Sequence, residues 1–334
     1  MPVRTFIVTG GAGFIGANVV AELGRREPGA RVVVVDSFRS GTFANIVEAC
    51  ARLGMGGFTG EVLPESSARV HWQFQVDRLK PAAVFHLGAI TDTTVSDESL
   101  MLHENVAGFA SMLSACHEAK VPLVYASSAA TYGTPPHAAR REAFPEAAAG
   151  QPSNVYGFSK WLMEQEHATF QGAYPRAHVV GLRYFNVFGP GEGRKAHMAS
   201  MIFQLTGQLL SGKAPRLFKD GSQSRDHVSV HDVVDCTLHA SGLFGGCPKP
   251  GVYNLGSGVA TSFNQVLAAV RGAIGVSESS LPTEYFEMPE EVRRFYQDFT
   301  LADMSRTGAG LGWKPARAPA EAIGEYAGWL KGRA

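Results

Sequence analysis

Residues 10–16 read Gly-Gly-Ala-Gly-Phe-Ile-Gly, a G-x-x-G-x-x-G run set between a β-rich stretch, Arg4 to Thr9, and an amphipathic stretch, Gly13 to Arg25. The first glycine permits a tight turn, the middle one a close approach of backbone to a ligand, and the third a close packing of helix on strand. Further β-rich runs at Arg31 to Asp36, Ala83 to Leu87, Leu123 to Ser127 and Val179 to Tyr184 alternate with helix candidates at Leu100 to Ala119 and Ser153 to Phe170. That alternation is the signature of a parallel sheet covered by helices on both faces. Between Gly41 and Leu79 the pattern is weak: Gly54 to Gly60 is turn-like, and the third strand belongs near Val62 or Val70. After Pro190 helices are expected at Met198 to Ser211, Ser262 to Ile274 and Pro319 to Leu330, with extended pieces at Arg216 to Phe218, His227 to Val230 and Val252 to Leu255. The expected division is 1–186 with 226–256 for the large domain and 187–225 with 257–334 for the smaller one.

Charge narrows the function. Thirty Lys plus Arg balance 30 Asp plus Glu, which gives no electrostatic footprint for nucleic acid or an anionic membrane. No apolar run reaches the roughly 18 residues of a membrane span and no signal-peptide pattern opens the chain, so a cytoplasmic protein is expected. Cys50, Cys116, Cys236 and Cys247 lie far apart, as reduced and mostly buried thiols do. The 11 histidines show no metal-ligand spacing, so no metal is expected.

The glycine run points to a phosphate held at a helix N-terminus, in practice the pyrophosphate of a dinucleotide. Asp36, twenty residues after Gly16, stands at the end of the next strand, where a carboxylate accepts from adenosine ribose hydroxyls. Arg39 could instead hold a 2′-phosphate, which leaves NAD and NADP both open. Tyr156 and Lys160 form Y-x-x-x-K, an i, i+4 pair on one helix face. A nearby ammonium favours the phenolate, so Tyr156 could exchange a proton with a substrate hydroxyl. Ser128 ends a buried strand at the edge where open α/β sheets place ligands, within reach of the same substrate oxygen. His86 reads as a structural histidine.

The glycine loop, Ser127-Ser128-Ala129-Ala130-Thr131-Tyr132-Gly133 and Y-x-x-x-K, in that order, resemble the extended short-chain dehydrogenase/reductase superfamily of nucleotide-sugar enzymes. Arg183 to Pro190, Glu192-Gly193, Lys195, Met198-Ala199-Ser200, Arg216 to Phe218, Arg225-Asp226 and Tyr296-Gln297 resemble, more narrowly, its ADP-L-glycero-D-manno-heptose 6-epimerases. The resemblance runs over nearly the whole chain. It implies an α/β fold, a doubly wound parallel sheet of the Rossmann type, with a smaller α/β C-terminal substrate domain. It implies tightly bound NADP or NAD, an ADP-sugar substrate, a homo-oligomer, and inversion at an exocyclic carbon through a 6-keto sugar. Tyr156 and Lys195 are then the two acid/base groups, with Lys160 and Ser128 assisting. Gly10, Gly11, Gly13, Phe14, Ile15, Gly16, Asp36, Ser37, Arg39, Leu87, Gly88, Ala89, Asn105 and Val187 are implied at the cofactor. Thr91, Asn186, His197, Gln204, Phe218, Lys219, Arg225 and Tyr296 are implied at the substrate. Two departures stand out: Ala196-His197 follows Lys195 where the epimerases usually have Gly then Ser or Arg, and the G-D-[IL]-x-D signature of the adenine pocket is missing between Gly54 and Leu79. A UDP-hexose 4-epimerase would share Ser128, Tyr156 and Lys160 but has no need of a lysine at 195; a non-catalytic dinucleotide-binding regulator is the reading from another class.

Overall fold

The computed structural model describes residues 3–92, 95, 97–287 and 297–333. Its centre is a seven-stranded sheet in which every pairing is parallel. The strands are β1 (Thr5–Thr9), β2 (Arg31–Val35), β3 (Glu61–Leu63), β4 (Ala83–His86), β5 (Leu123–Ser128), β6 (Val179–Tyr184) and β10 (Gly251–Leu255), in spatial order β10-β6-β5-β4-β1-β2-β3. Alternate residues feed two cores. Phe6, Val8, Val32 and Val34 pack against α1 (Phe14–Arg26), α2 (Phe43–Arg52) and α9 (Val230–His239). Ile7, Val33 and Val35 face α3 (Trp72–Leu79), α5 (Phe109–Glu118) and α7 (Val155–Ala173). Burial on both faces is why these strands read as unbroken apolar runs. Strand order reverses between β1 and β4, which opens a crevice at their C-terminal ends.

The 41–79 interval supplies α2, the three-residue β3 at Val62, and α3; Val70 is buried outside any strand. The single helix expected over Leu100 to Ala119 is two, α4 (Glu98–Val106) and α5, because Gly108 adopts φ 86° and its missing Cβ would lie 2.9 Å from Ser67 O. Val230 opens α9 rather than extending a strand, since the Ser229 side chain accepts from His231 N and caps the helix there.

The remaining elements are α6 (Pro136–Arg140), β7 (Asn186–Phe188), α8 (Met201–Leu210), β8 (Arg216–Phe218), β9 (Ser224–Ser229), β11 (Ala260–Ser262), α10 (Phe263–Ile274), β12 (Glu284–Phe286), α11 (Ser305–Leu311) and α12 (Pro319–Lys331). Strands β11-β9-β7 form a small mixed sheet, and β12 pairs with β8. Helices α8, α10 and α12 enclose a separate core around Ile202, Leu205, Val266 and Ile323. Buried Asp226 ties that part to the large sheet's exit by accepting from the amides of Ser257 (2.6 Å), Gly258 (3.0 Å) and Ala302 (3.1 Å). Cys50, Cys116 and Cys236 are buried, Cys247 is exposed, and all four are free. No described helix is long and apolar enough to cross a membrane.

At Gly16 an added Cβ would stand 2.0 Å from Gly10 O, backbone that has no room to withdraw. Gly16→Ala is therefore expected to lower the unfolding free energy by about 1–3 kcal/mol through overpacking. Urea denaturation checks this, and a loss within the scatter of ordinary surface substitutions, about 0.5 kcal/mol, would contradict the packing argument.

Candidate active site

The crevice holds a cleft of about 610 Å³. Gly10 turns the chain out of β1 with φ 66°, and its absent Cβ leaves space for Gly88, 2.7 Å from that position. Thr9 Oγ1 fixes the same wall by accepting from the amides of Leu87 (3.1 Å) and Gly88 (3.0 Å) and pairing with His86 Nδ1 (2.7 Å). Burial lowers the His86 pKa to about 3, so the ring is neutral and structural. Helix α1 begins at Gly13 without a side-chain cap, and Phe14, Ile15 and Gly16 line the cleft. A glycine cradle at an uncapped helix start fits a diphosphate. Asp36 lines the next stretch of wall while its carboxylate accepts from Ala12 N (2.9 Å) and Phe38 N (2.8 Å). Exposed Ser37 and Arg39 form the rim beside it. This donor set fits a nicotinamide dinucleotide.

The opposite end is built from β5 and α7. Asn154 caps α7 by accepting from Gly157 N (2.8 Å), and a Cβ at Gly157 would come 2.5 Å from Ala130 O, so the helix starts hard against the turn that follows β5. Ser128 and Tyr156 are thereby brought together in the lining of the cleft. Desolvation raises the Tyr156 pKa, and the Ser128 hydroxyl acts the other way. One helical turn on, Lys160 is 2% exposed; burial lowers its pKa to about 8, and the attraction of Glu164 opposes the fall. Lys195 enters from the segment between β7 and α8, its ammonium 5.6 Å from the centre of the Phe14 ring. Burial lowers its pKa, with Glu192 acting the other way.

Of the expected residues, Gly10, Gly13, Phe14, Ile15, Gly16, Asp36, Ser37, Arg39, Leu87, Gly88, Ala89, Thr91, Ser128, Tyr156, Lys160, Val187 and Lys195 all line this cleft. Gly11 does not: it packs on Val34. Asn105 is buried behind the wall, accepting from Ile90 N (2.7 Å) and donating to Ile90 O (3.0 Å) and Ser159 Oγ (2.9 Å). Five expected substrate residues lie off the cleft, engaged elsewhere. Asn186 accepts from Thr300 Oγ1, Gln204 donates to Ala199 O, Phe218 packs at a tilt against Phe286, Lys219 faces Asp298, and Arg225 donates to Ser224 O. Tyr296 and the side chain of His197 lie outside the described residues.

Other cleft residues carried no expectation. Glu65, Ser66 and Ser67 line it just past β3, where the adenine-pocket signature is missing, and Ser66 Oγ donates to Glu104. Asn45 and Arg194 line it near the glycine loop. Beneath it, Glu164 accepts from Arg183 Nε (2.9 Å) and Nη2 (2.7 Å) and from Ser127 Oγ (2.5 Å). Its place four residues after Lys160 was the available signal.

The chain is similar to solved enzymes of nucleotide sugars. The NAD dependent epimerase/dehydratase family matches residues 6–256. The Helicobacter pylori ADP-L-glycero-D-manno-heptose-6-epimerase is 31% identical, with a TM-score of 0.82 over 97% of this chain and 95% of that one. The Thermus thermophilus UDP-glucose 4-epimerase, solved with NAD, is 27% identical, with a TM-score of 0.78 over 99% and 100%. At 23% identity, the Methanobrevibacter ruminantium UDP-N-acetylglucosamine 4-epimerase shares the fold, with a TM-score of 0.83 over the whole of both chains. A doubly wound sheet, a glycine cradle and a Ser-Tyr-Lys cleft, together with a match over three-quarters of the sequence, establish that the chain belongs to the NAD dependent epimerase/dehydratase family.

Proposed function

We propose that the chain inverts C6 of ADP-D-glycero-D-manno-heptose to give ADP-L-glycero-D-manno-heptose, with NAD or NADP as a tightly held cofactor. The observation that carries this reading is Lys195, a second acid/base group, half-buried in the same cleft as Ser128 and Tyr156. An exocyclic carbon can present either face by rotation of its flanking bonds, and then needs a proton acceptor on each side. Ring-carbon epimerases have no use for the second group. The 31% identity to a heptose epimerase over nearly the full length supports the same choice.

In this reading Gly10, Gly13, Gly16 and the start of α1 hold the cofactor diphosphate, Asp36, Ser37 and Arg39 the adenosine ribose, and Leu87, Gly88, Ala89 and Val187 the nicotinamide half. A cofactor bound there would supply reversible hydride transfer at the sugar carbon. Tyr156 and Lys195 move the proton at the C6 oxygen, Ser128 donates a hydrogen bond to that oxygen, and the Lys160 ammonium favours ionised Tyr156. The cofactor part spans 1–186 with 226–256 and the substrate part 187–225 with 257–334.

Purified protein incubated with ADP-D-glycero-D-manno-heptose should show inversion at C6 by NMR; absence of inversion together with turnover of a UDP-hexose would overturn the assignment. Tyr156→Phe and Lys195→Met should each slow inversion by about 10²–10⁴-fold while retaining cofactor. A near-normal rate in either removes that residue from proton transfer. The depressed Lys160 pKa also leaves a mark on stability. Between about pH 8 and the unfolded value of 10.5 the unfolded chain holds a proton that the folded one has released, so Lys160 makes stability rise with pH in that window. Comparing cofactor-free protein with Lys160→Met by urea unfolding across that range isolates this contribution, and parallel curves would refute it.

A further inference from the structure

The segment joining β7 to α8 carries Lys195 and is held at its two parts by different means. Its root is fixed inside the protein. The buried Glu192 carboxylate accepts from Gly189 N (3.1 Å), Ser200 N (2.6 Å) and Ser200 Oγ (2.8 Å), and Pro190 O accepts from Asn18 on α1 (3.0 Å). Its outer part is tied to α2 by the side chain of Arg194. The Arg194 guanidinium crosses to α2, donating through Nη1 to Asn45 Oδ1 (2.9 Å) and Glu48 Oε2 (2.9 Å) and through Nη2 to Glu48 Oε1 (2.5 Å). Asn45 in turn donates to Ala12 O (2.7 Å), inside the glycine loop. Arg194 and Asn45 line the cleft along with Gly10, Gly13 and Gly16, so this contact bridges the segment bearing Lys195 to the loop on the other wall. Between root and tip the backbone is strained: Ala196 has φ 48° and ψ −121°. Such a conformation persists only where the surroundings over-determine it.

We infer that Arg194, gripping Glu48 and Asn45, is a reversible latch across the cleft that retains the nicotinamide dinucleotide through the reaction and fixes Lys195 over Phe14. The inference rests on the function proposed above. Epimerisation by hydride removal and return is redox-neutral only if the reduced cofactor stays until the keto sugar takes its hydride back; cofactor lost midway would strand the ketone. The strength of the contact suits a catch. Arg194 and Glu48 side chains are 41% and 42% exposed, and an exposed ion pair is weak and screened by salt, so it can open for loading. The buried Glu164–Arg183 pair, by contrast, is a permanent tie.

The test is the dissociation rate of NADH or NADPH from the full-length protein, followed by loss of bound-nicotinamide fluorescence after a chase with excess oxidised dinucleotide. Glu48→Gln should raise the rate about two- to fivefold, and Arg194→Gln, which also loses the Asn45 bond, about tenfold. Release from the wild-type protein should quicken with added salt, and Glu48→Gln should flatten that dependence. Glu284→Gln, which removes the exposed partner of Arg216 away from the cleft, should leave the rate unchanged. Equal release rates in wild type, Glu48→Gln and Arg194→Gln would overturn the latch. Salt-independent release from the wild-type protein would do so without any variant. If the wild-type protein binds neither dinucleotide, the proposed function fails and the latch with it; if it binds and the rates coincide, the latch alone fails.

Discussion

Beneath the cleft, the ion pair between Glu164 and Arg183 joins more of the molecule than any single motif does. Glu164 comes from α7 and Arg183 from β6, and both are almost fully buried. Ser127 of β5 donates to the same carboxylate, while Arg183 goes on to Tyr132 Oη (3.1 Å) and Glu146 O (2.8 Å), and Tyr132 to Asn254 of β10 (2.7 Å). Burying two charges is costly unless every lone pair and proton finds a partner, and here the bidentate geometry and the flanking hydroxyls provide them. Removing either partner would leave an uncompensated charge where three strands and a helix meet. The registration of Ser128, on β5, with Tyr156 and Lys160, on α7, depends on that junction.

The same arrangement explains what could be read from the sequence. Strands β1, β2, β4, β5 and β6 were legible because burial on both faces demands unbroken apolar runs. Strand β3 was not, being three residues of half-buried chain. The break at Gly108 was not legible because the close approach it serves is to Ser67, some forty residues earlier in the chain. At the site, the glycine loop and Tyr156–Lys160 are local patterns whose spacing states their geometry. Arg194 has no such pattern: its partners Asn45 and Glu48 are 149 and 146 residues away. The substrate residues carried over by resemblance, Asn186, Gln204, Phe218, Lys219 and Arg225, lie on or beside β7, β8, β9 and α8, from which only Val187 of β7 reaches the lining of the main cleft among the described residues.

The balance of charge over the whole chain repeats in the lining of the cleft, where Arg39, Lys160, Arg194 and Lys195 stand with Asp36, Glu65, Asp92 and Glu104, but burial separates the two lysines from the two arginines. Lys160 and Lys195 are both desolvated at one cleft, and each has its pKa lowered by that burial. The carboxylates that act on them are also committed elsewhere, Glu164 to Arg183 and Ser127, and Glu192 to Gly189 and Ser200. Asp36 is likewise engaged by two backbone amides. Two desolvated ammonium groups thus sit at a site whose glycine cradle and uncapped helix start also favour an anion. Charge of that kind is unfavourable in the empty protein and relieved by an anionic ligand, so binding and stability are linked through the same two lysines. A neutral surface is compatible with this, because small anions held in a cleft are served by local charge, and the long-range field that a polyanion would require is not needed.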